Sequence, residues 1–219
     1  MQHPLFATTT PDSQRILGPE DDGDVVLHTD VMSPEESWTL FEALTQHIAW
    51  QQRRIKVYGK WHVQPRLVAW YGDPGVSYSY SGDVLTAEPW VEPLLALKAL
   101  CERVATTRFN SVLLNRYRDG EDAMGWHADN EPELGEQPVI ASVSLGCERR
   151  FDLRHRARGL NRQVVLPHGS VLIMAGTTQQ HWVHQIARSK KITTPRINLT
   201  YRWVYPPSRS PSTGAGVSP

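Results

Sequence analysis

Apolar residues recur along the chain with two different periods, and the switches between them divide it into elements. Val25-Val26-Leu27-His28 has the length and β-branched content of a short strand. Ser33-Pro34-Glu35-Glu36 then carries helix-start signals, with Ser33 as N-cap, Pro34 at the first helical position and Glu36 completing a capping box. Trp38, Phe41, Leu44 and Ile48 follow at helical spacing, which predicts one buried face. From Gln51 to Gly82 the pattern changes to strands and turns, with Gly72-Asp73-Pro74-Gly75 marking one reversal. A second helix is predicted over about Pro89 to Ala105, with Trp90, Leu94, Leu97, Cys101 and Val104 along its stripe. From Asn110 onward strand follows strand: 112–117, 139–145, 150–154, 163–166, 170–174, 182–185 and 196–204. Many short strands at this spacing predict two packed antiparallel sheets, a double-sheet roll, in an α+β, mainly β, chain. The polar residues 1–24 and the Pro/Ser/Gly-rich residues 206–219 predict disorder, leaving 25–205 as a single domain.

A chain of 219 residues can build one full core. Its 23 Lys and Arg balance 23 Asp and Glu, so the net charge says nothing for nucleic acid, whereas the distribution does. Glu20-Asp21-Asp22-Gly23-Asp24 is acidic, while Arg149, Arg150, Arg154, Arg156, Arg158 and Arg162 crowd one segment. Further basic clusters sit at Arg53 to Arg66 and at Arg188-Ser189-Lys190-Lys191. Each is either a solvated face or a track for phosphates. Between residues 51 and 82, basic side chains interleave with Tyr58, Trp61, Tyr78 and Tyr80, as base stacking plus phosphate contact requires, unless these rings form an aromatic core under a hairpin. Cys101 and Cys147 fit free thiols in a reducing compartment. No leader pattern opens the sequence, and no apolar run approaches the roughly 20 residues of a membrane span. A cytoplasmic protein without membrane contact is the expectation, and a monomer.

Candidate chemistry centres on His127-x-Asp129, two metal-ligand types that share a face in extended backbone. His184 is the third candidate. His181 competes with it, because residues i and i+3 lie on opposite faces of a strand and at most one can serve. Two imidazoles and a carboxylate with open positions is the donor set of non-haem Fe(II) oxygenases. A structural zinc would call for four ligands rich in Cys, and neither Cys is near. In the last strand Arg196, Asn198, Thr200 and Arg202 alternate with Ile197, Leu199 and Tyr201. Two cations on one polar face call for an anion, and an Arg fork binds carboxylate bidentately. Asn115 and Tyr117, themselves i and i+2, can add neutral hydrogen bonds, so a dicarboxylate such as 2-oxoglutarate fits as co-substrate.

Asn115-x-Tyr117, His127-x-Asp129, His184 and Arg196-x-Asn198-x-Thr200-x-Arg202 together resemble the AlkB family of Fe(II)/2-oxoglutarate dioxygenases, which repair alkylated bases. The resemblance runs from about Val57 to Arg202 and is closest to members acting on duplex DNA. It implies a double-stranded β-helix (jelly-roll) core at about 110–204 under a nucleotide-recognition lid at about 51–82. It makes His127, Asp129 and His184 the iron ligands and His181 a neighbour. Arg196, helped by Tyr117 and Asn198, would grip the distal carboxylate of 2-oxoglutarate, with Arg202 and Asn115 nearer the metal and Thr200 on the same face. One tension stands: residues i and i+6 on a strand are about 20 Å apart, far for two Arg sharing one small ligand.

In the lid, Val57-Tyr58-Gly59 resembles the finger that enters the stack when a base flips out, with Tyr58 where the duplex-acting members carry Phe. Tyr80 and His127 would sandwich the flipped base, with Tyr78 and Glu131 at its polar edge. Asn130 stands where those members have a second acid. Arg66, Lys190 and Lys191 would contact phosphates. The implied activity consumes O2 and 2-oxoglutarate on Fe(II) to demethylate 1-methyladenine or 3-methylcytosine in duplex or single-stranded DNA, releasing formaldehyde, succinate and CO2. The alternatives are an oxygenase of the same fold acting on methylated RNA or a small molecule, a cupin-like metal-binding protein, and a nucleic-acid-binding module without activity.

Overall fold

The structure, a computed structural model, describes residues 11–57, 59–80 and 83–206. The first half of the chain gives β1 (Asp12–Leu17), β2 (Asp24–Thr29), α1 (Pro34–His47), β3 (Arg54–Val57), β4 (Lys60–Val63), β5 (Leu67–Gly72), β6 (Ser77–Tyr80), β7 (Asp83–Thr86), β8 (Glu88–Pro89) and α2 (Glu92–Ala105). The second half gives β9 (Ser111–Tyr117), β10 (Met124–His127), β11 (Ile140–Gly146), β12 (Arg149–His155), β13 (Asn161–Leu166), β14 (Ser170–Ala175), α3 (Thr178–His181), β15 (Trp182–Ile186) and β16 (Arg196–Arg202). An eight-stranded sheet, β1-β2-β14-β11-β16-β9-β5-β8, faces a four-stranded one, β10-β15-β12-β13. This is the expected jelly roll.

Alternation along the central strands separates two interiors. Val112 and Leu114 of β9, Val143 and Leu145 of β11, and Ile197, Leu199 and Tyr201 of β16 point to the side covered by α1 and α2, where Leu40, Leu44, Leu94, Leu97 and Leu100 meet them. The opposite parity faces the small sheet. There Tyr117, Ile140, Leu172 and Met174 pack against Phe151, Leu153, Leu166, Trp182 and Ile186. Between these apolar residues the inner face of β9, β11 and β16 is polar, with Asn115, Ser142, Ser144, Arg196, Asn198, Thr200 and Arg202 all buried. A core that carries so many polar groups has to satisfy them with one another or with a ligand.

Three expectations need correction. Disorder up to Asp24 does not hold from residue 12 on, because β1 pairs antiparallel with β2 and Leu17 is fully buried. The acidic run within that segment has partners far along the chain: Asp21 meets Arg162 at 3.0 Å and Asp22 meets Arg158 at 3.0 Å. Residues 1–10 and 207–219 lie outside the described residues. On α1 the Ser33 capping box forms as read. Leu44 and Ile48 are buried as expected and Phe41 is half-buried against the same core, but Leu40 completes the stripe in place of Trp38, which is 48% exposed, with its ring 4.2 Å from that of His168. Finally, residues 51–82 are not all lid. β5 is an integral strand beside β9, and only the hairpins β3–β4 and β6–β7 stand apart as two-stranded sheets.

Candidate active site

Antiparallel pairing of β10 with β15 sets His127 directly opposite His184, and their ring centroids are 4.3 Å apart. Asp129 follows two residues beyond β10, and its Oδ2 lies 3.9 Å from His184 Nε2. One ligand atom from each of the three falls within 4.8 Å of the others, a span that one metal ion can bridge. His127 Nδ1 sits 2.8 Å from the carbonyl of Gly125, so it carries the proton and leaves Nε2 free to coordinate. His184 stacks on Phe151 at 5.1 Å and is fully buried. Burial, reinforced by the neighbouring His127, pulls its pKa down to about 3 and keeps it neutral, as a ligand must be. Burial alone would raise Asp129; the guanidinium of Arg202 and the two imidazoles hold it below the ordinary carboxylate range. His181 ends α3 and stacks on His155 instead of joining the group.

The second half of the site lies along β16. Its register sets Arg196 opposite Tyr117 and Asn198 opposite Asn115 on β9, while β11 places Ser144 opposite Asn198 and Ser142 opposite Thr200. Arg196 Nη2 donates to Ser144 Oγ at 2.9 Å, and its guanidinium lies over the Tyr117 ring at 5.3 Å. Asn198 Nδ2 donates to Ser142 Oγ, and Thr200 Oγ1 donates to Asn198 Oδ1. Arg196 Nε and Nη1 are buried with no partner among the described residues. Burial pulls this guanidinium down to about 10, partly offset by Tyr117, so it stays charged at neutral pH. Two idle, charged donors in the interior fit a carboxylate, and three imidazole and carboxylate groups within reach of one ion fit Fe(II).

At the other end of the strand Arg202 Nη2 donates to Asp129 Oδ1 at 2.8 Å. This resolves the 20 Å tension: the two Arg do not share one carboxylate. Both line a first cavity with Tyr117, Asn198, Thr200 and the three metal-ligand candidates, where Arg202 belongs to the metal end and Arg196 does not contact Asp129.

A second cavity of about 160 Å³ opens above the metal group, lined by Gln64, Val68, Trp70, Leu113, Met124, His127, Asp129 and Glu131 among others. Met124, His127, Asp129, Leu113 and Arg202 line both cavities, so a group held in the upper one meets the metal position directly. Glu131 lines this cavity, and its Oε2 is buried without a partner among the described residues. Val57 ends β3 and pairs with Lys60, with Gly59 at φ 78° supplying the left-handed residue of the reversal. Tyr58 lies outside the described residues. Tyr78 and Tyr80 belong to β6. Lys190 and Lys191 are exposed.

Arg66 is a correction. It is 5% exposed, with Nε donating to Asn115 Oδ1 at 2.6 Å and Nη1 to the carbonyl of Ala123. The segment after β4 turns inward onto β9, so this Arg braces Asn115 and does not reach a phosphate. Arg149 is likewise interior, donating to the carbonyls of Asp119, Asp122 and Ala187. Gln179, which the sequence did not flag, accepts from Asp129 N at 2.9 Å and so orients a ligand from α3. Ser142 and Ser144 were also missed, although their i, i+2 spacing on an apolar strand is a readable sign of a polar inner face.

The family model that matches residues 24–202 is described as the 2OG-Fe(II) oxygenase superfamily. Mouse (Mus musculus) DNA oxidative demethylase ALKBH2 is 40% identical over 191 residues, covering 82% of this chain and 80% of that protein. The Homo sapiens ALKBH2 is 39% identical over 186 residues, covering 80% and 71%. The alpha-ketoglutarate-dependent dioxygenase alkB homolog 3 of Mus musculus is 36% identical over 203 residues, covering 88% and 70%. The solved structure of OsALKBH1 shares the fold, with a TM-score of 0.59 at 15% identity over 82% of this chain and 96% of that one.

Proposed function

Because the chain belongs to the AlkB family within the 2OG-Fe(II) oxygenase superfamily, we propose that it repairs alkylated DNA by oxidative demethylation of bases such as 1-methyladenine and 3-methylcytosine. The observation that carries the reading is the junction of two cavities at His127 and Asp129, one with idle Arg196 donors and one with an apolar wall. His127, Asp129 and His184 would hold Fe(II), and Arg196, Tyr117, Asn198 and Thr200 would hold 2-oxoglutarate. Bound there, Fe(II) with 2-oxoglutarate and O2 supplies the oxidant for a C–H bond.

The chain's own residues do the rest. Val68, Trp70, Leu113 and Met124 wall the upper cavity and keep bulk water from the methyl group. His127 and Asp129 form its floor, which orients the N-methyl group of an entering base toward the metal position. Arg202 holds Asp129 ionised, and Gln179 fixes the backbone that presents it. Chemistry on a Watson–Crick edge requires the base to leave its stack. The β3–β4 hairpin with exposed Trp61 stands as a separate sheet from which a finger at Val57, Tyr58 and Gly59 would fill the gap. Hydroxylation of the methyl group gives an N-hydroxymethyl base, which loses formaldehyde and regains its pairing edge.

The test is formaldehyde release from a 1-methyladenine oligonucleotide, single-stranded, duplex and as RNA of the same sequence, with each cofactor omitted in turn. Release that needs both Fe(II) and 2-oxoglutarate and vanishes in Asp129→Ala is expected. Release by Asp129→Ala would overturn the ligand set, and release from RNA alone would move the substrate class.

A further inference from the structure

Gln64 follows β4 and is 4% exposed, yet its Oε1 is buried with no hydrogen-bond partner among the described residues. A buried acceptor left idle costs free energy unless something occupies it. Its position is fixed: Gln64 N donates to the carbonyl of Arg53 at 2.8 Å, and the next residue, Pro65, accepts from Ala123 N at 3.0 Å. The side chain lines the upper cavity together with Glu131, whose Oε2 is also buried and unpartnered. Of the cations on that wall, Arg66 is engaged by Asn115 and Ala123, Arg53 reaches toward Gln51 at 3.5 Å, and Arg202 is held by Asp129 at the metal end, with its Nε buried and unpartnered among the described residues. The polar edge of this cavity therefore offers two idle acceptor oxygens.

We propose that Gln64 is a specificity-determining residue whose side-chain carbonyl accepts a hydrogen bond from the exocyclic amine of the damaged base. The inference rests on the demethylase reading above. In 1-methyladenine and 3-methylcytosine the carbon next to the methylated nitrogen bears an amino group, a donor. In 3-methylthymine and 1-methylguanine the same position bears a carbonyl, an acceptor. Facing Gln64 and Glu131, an amine satisfies the idle oxygens, whereas a carbonyl leaves them unpaired and adds another acceptor. Discrimination of this kind comes from the penalty on the wrong partner as much as from the bond to the right one.

The experiment compares full-length wild type, Gln64→Leu and Gln64→Glu on one oligonucleotide carrying either 3-methylcytosine or 3-methylthymine. Two readouts are taken: kcat/KM with Fe(II) and 2-oxoglutarate, and Kd by anisotropy with Fe(II) under nitrogen without 2-oxoglutarate. In Gln64→Leu the preference for 3-methylcytosine should fall about tenfold in both, the worth of one hydrogen bond, while Gln64→Glu, which keeps an acceptor, retains it. Equal losses on the two lesions, no change, or a selective loss on 3-methylthymine would each overturn the assignment; the last would mean that the amide presents its NH2. Should Gln64→Leu fail to fold, as a melting curve shows, Gln64→Glu and Gln64→Met carry the comparison. Wild type that demethylates 1-methyladenine but ignores the Gln64 changes defeats this inference alone. Wild type inactive on every methylated base defeats the reading beneath it.

Discussion

At the scale of single residues, the active site is a set of polar groups whose cost in the free protein is visible. Arg196 is 1% exposed, with a hydrogen bond to Ser144, Tyr117 beside it, and Nε and Nη1 without partners among the described residues. Replacing a buried, incompletely paired cation with an apolar side chain of similar volume is often neutral or stabilising. Arg196→Met should therefore melt at or above the wild-type temperature while losing 2-oxoglutarate. Two charge-assisted hydrogen bonds at about 1.5–3 kcal/mol each correspond to at least a hundredfold weaker binding. Arg196→Lys should recover only part, since an ammonium cannot present the planar fork. Titrating 2-oxoglutarate against initial rate and melting the ligand-free proteins tests both halves. Unchanged 2-oxoglutarate affinity in Arg196→Met would remove this residue from the cofactor site.

At the scale of elements, the connections are as constrained as the strands. Gly120, in the turn between β9 and β10, donates to the carbonyl of Ile192 and accepts from Ser189 N. That clip joins the segment leading to His127 to the loop leading to β16. A Cβ on Gly120 would run into the backbone carbonyl of Ser189, and backbone cannot swing aside. Gly120→Ala should cost about 3 kcal/mol, which lowers the melting temperature of a chain this size by roughly 6–12 °C. Gly125→Ala, on β10 with nothing near its added methyl, should melt like wild type. Equal melting of the two variants would show that the clip yields easily.

The same distinction decides what was legible in the sequence. The strands β9 and β11 to β16, the capping box at Ser33 and the alternation of β16 are local patterns, and each formed where it was read, whereas the short β10 was not read as a strand. The metal group was readable too, because a His-x-Asp pair and a later His need only one strand pairing to meet. What depends on partners distant in sequence was not. β1 needed β2, the acidic run after it needed Arg158 and Arg162, the inward turn of Arg66 needed Asn115, and the role of Gln179 needed a loop 50 residues away. Composition marked Arg66 and Arg149 as basic surface, and only the folded chain shows them holding carbonyls and an amide.

At the scale of the whole molecule, a net charge of zero conceals an uneven division of labour. Arg15, Arg158 and Arg162 are paired with Asp24, Asp22 and Asp21, so the acidic run near the start of the chain neutralises part of the basic segment 149–162. Lys190 and Lys191 make no ion pair among the described residues, and their loop is clipped to the turn that precedes β10, beside the metal group. Cations that are free in the protein are the ones that release counterions from a duplex, at about 0.9 per phosphate contacted in the slope of log K against log salt. Replacing both with Ala should weaken duplex binding similarly for every sequence and flatten that slope by about 2. Lys98, held 3.2 Å from Glu102 on α2, serves as the control whose loss leaves the slope unchanged. Binding isotherms at several salt concentrations on an unmodified duplex suffice. A flattened slope for Lys98→Ala, or none for the double variant, would place the phosphate track on another face.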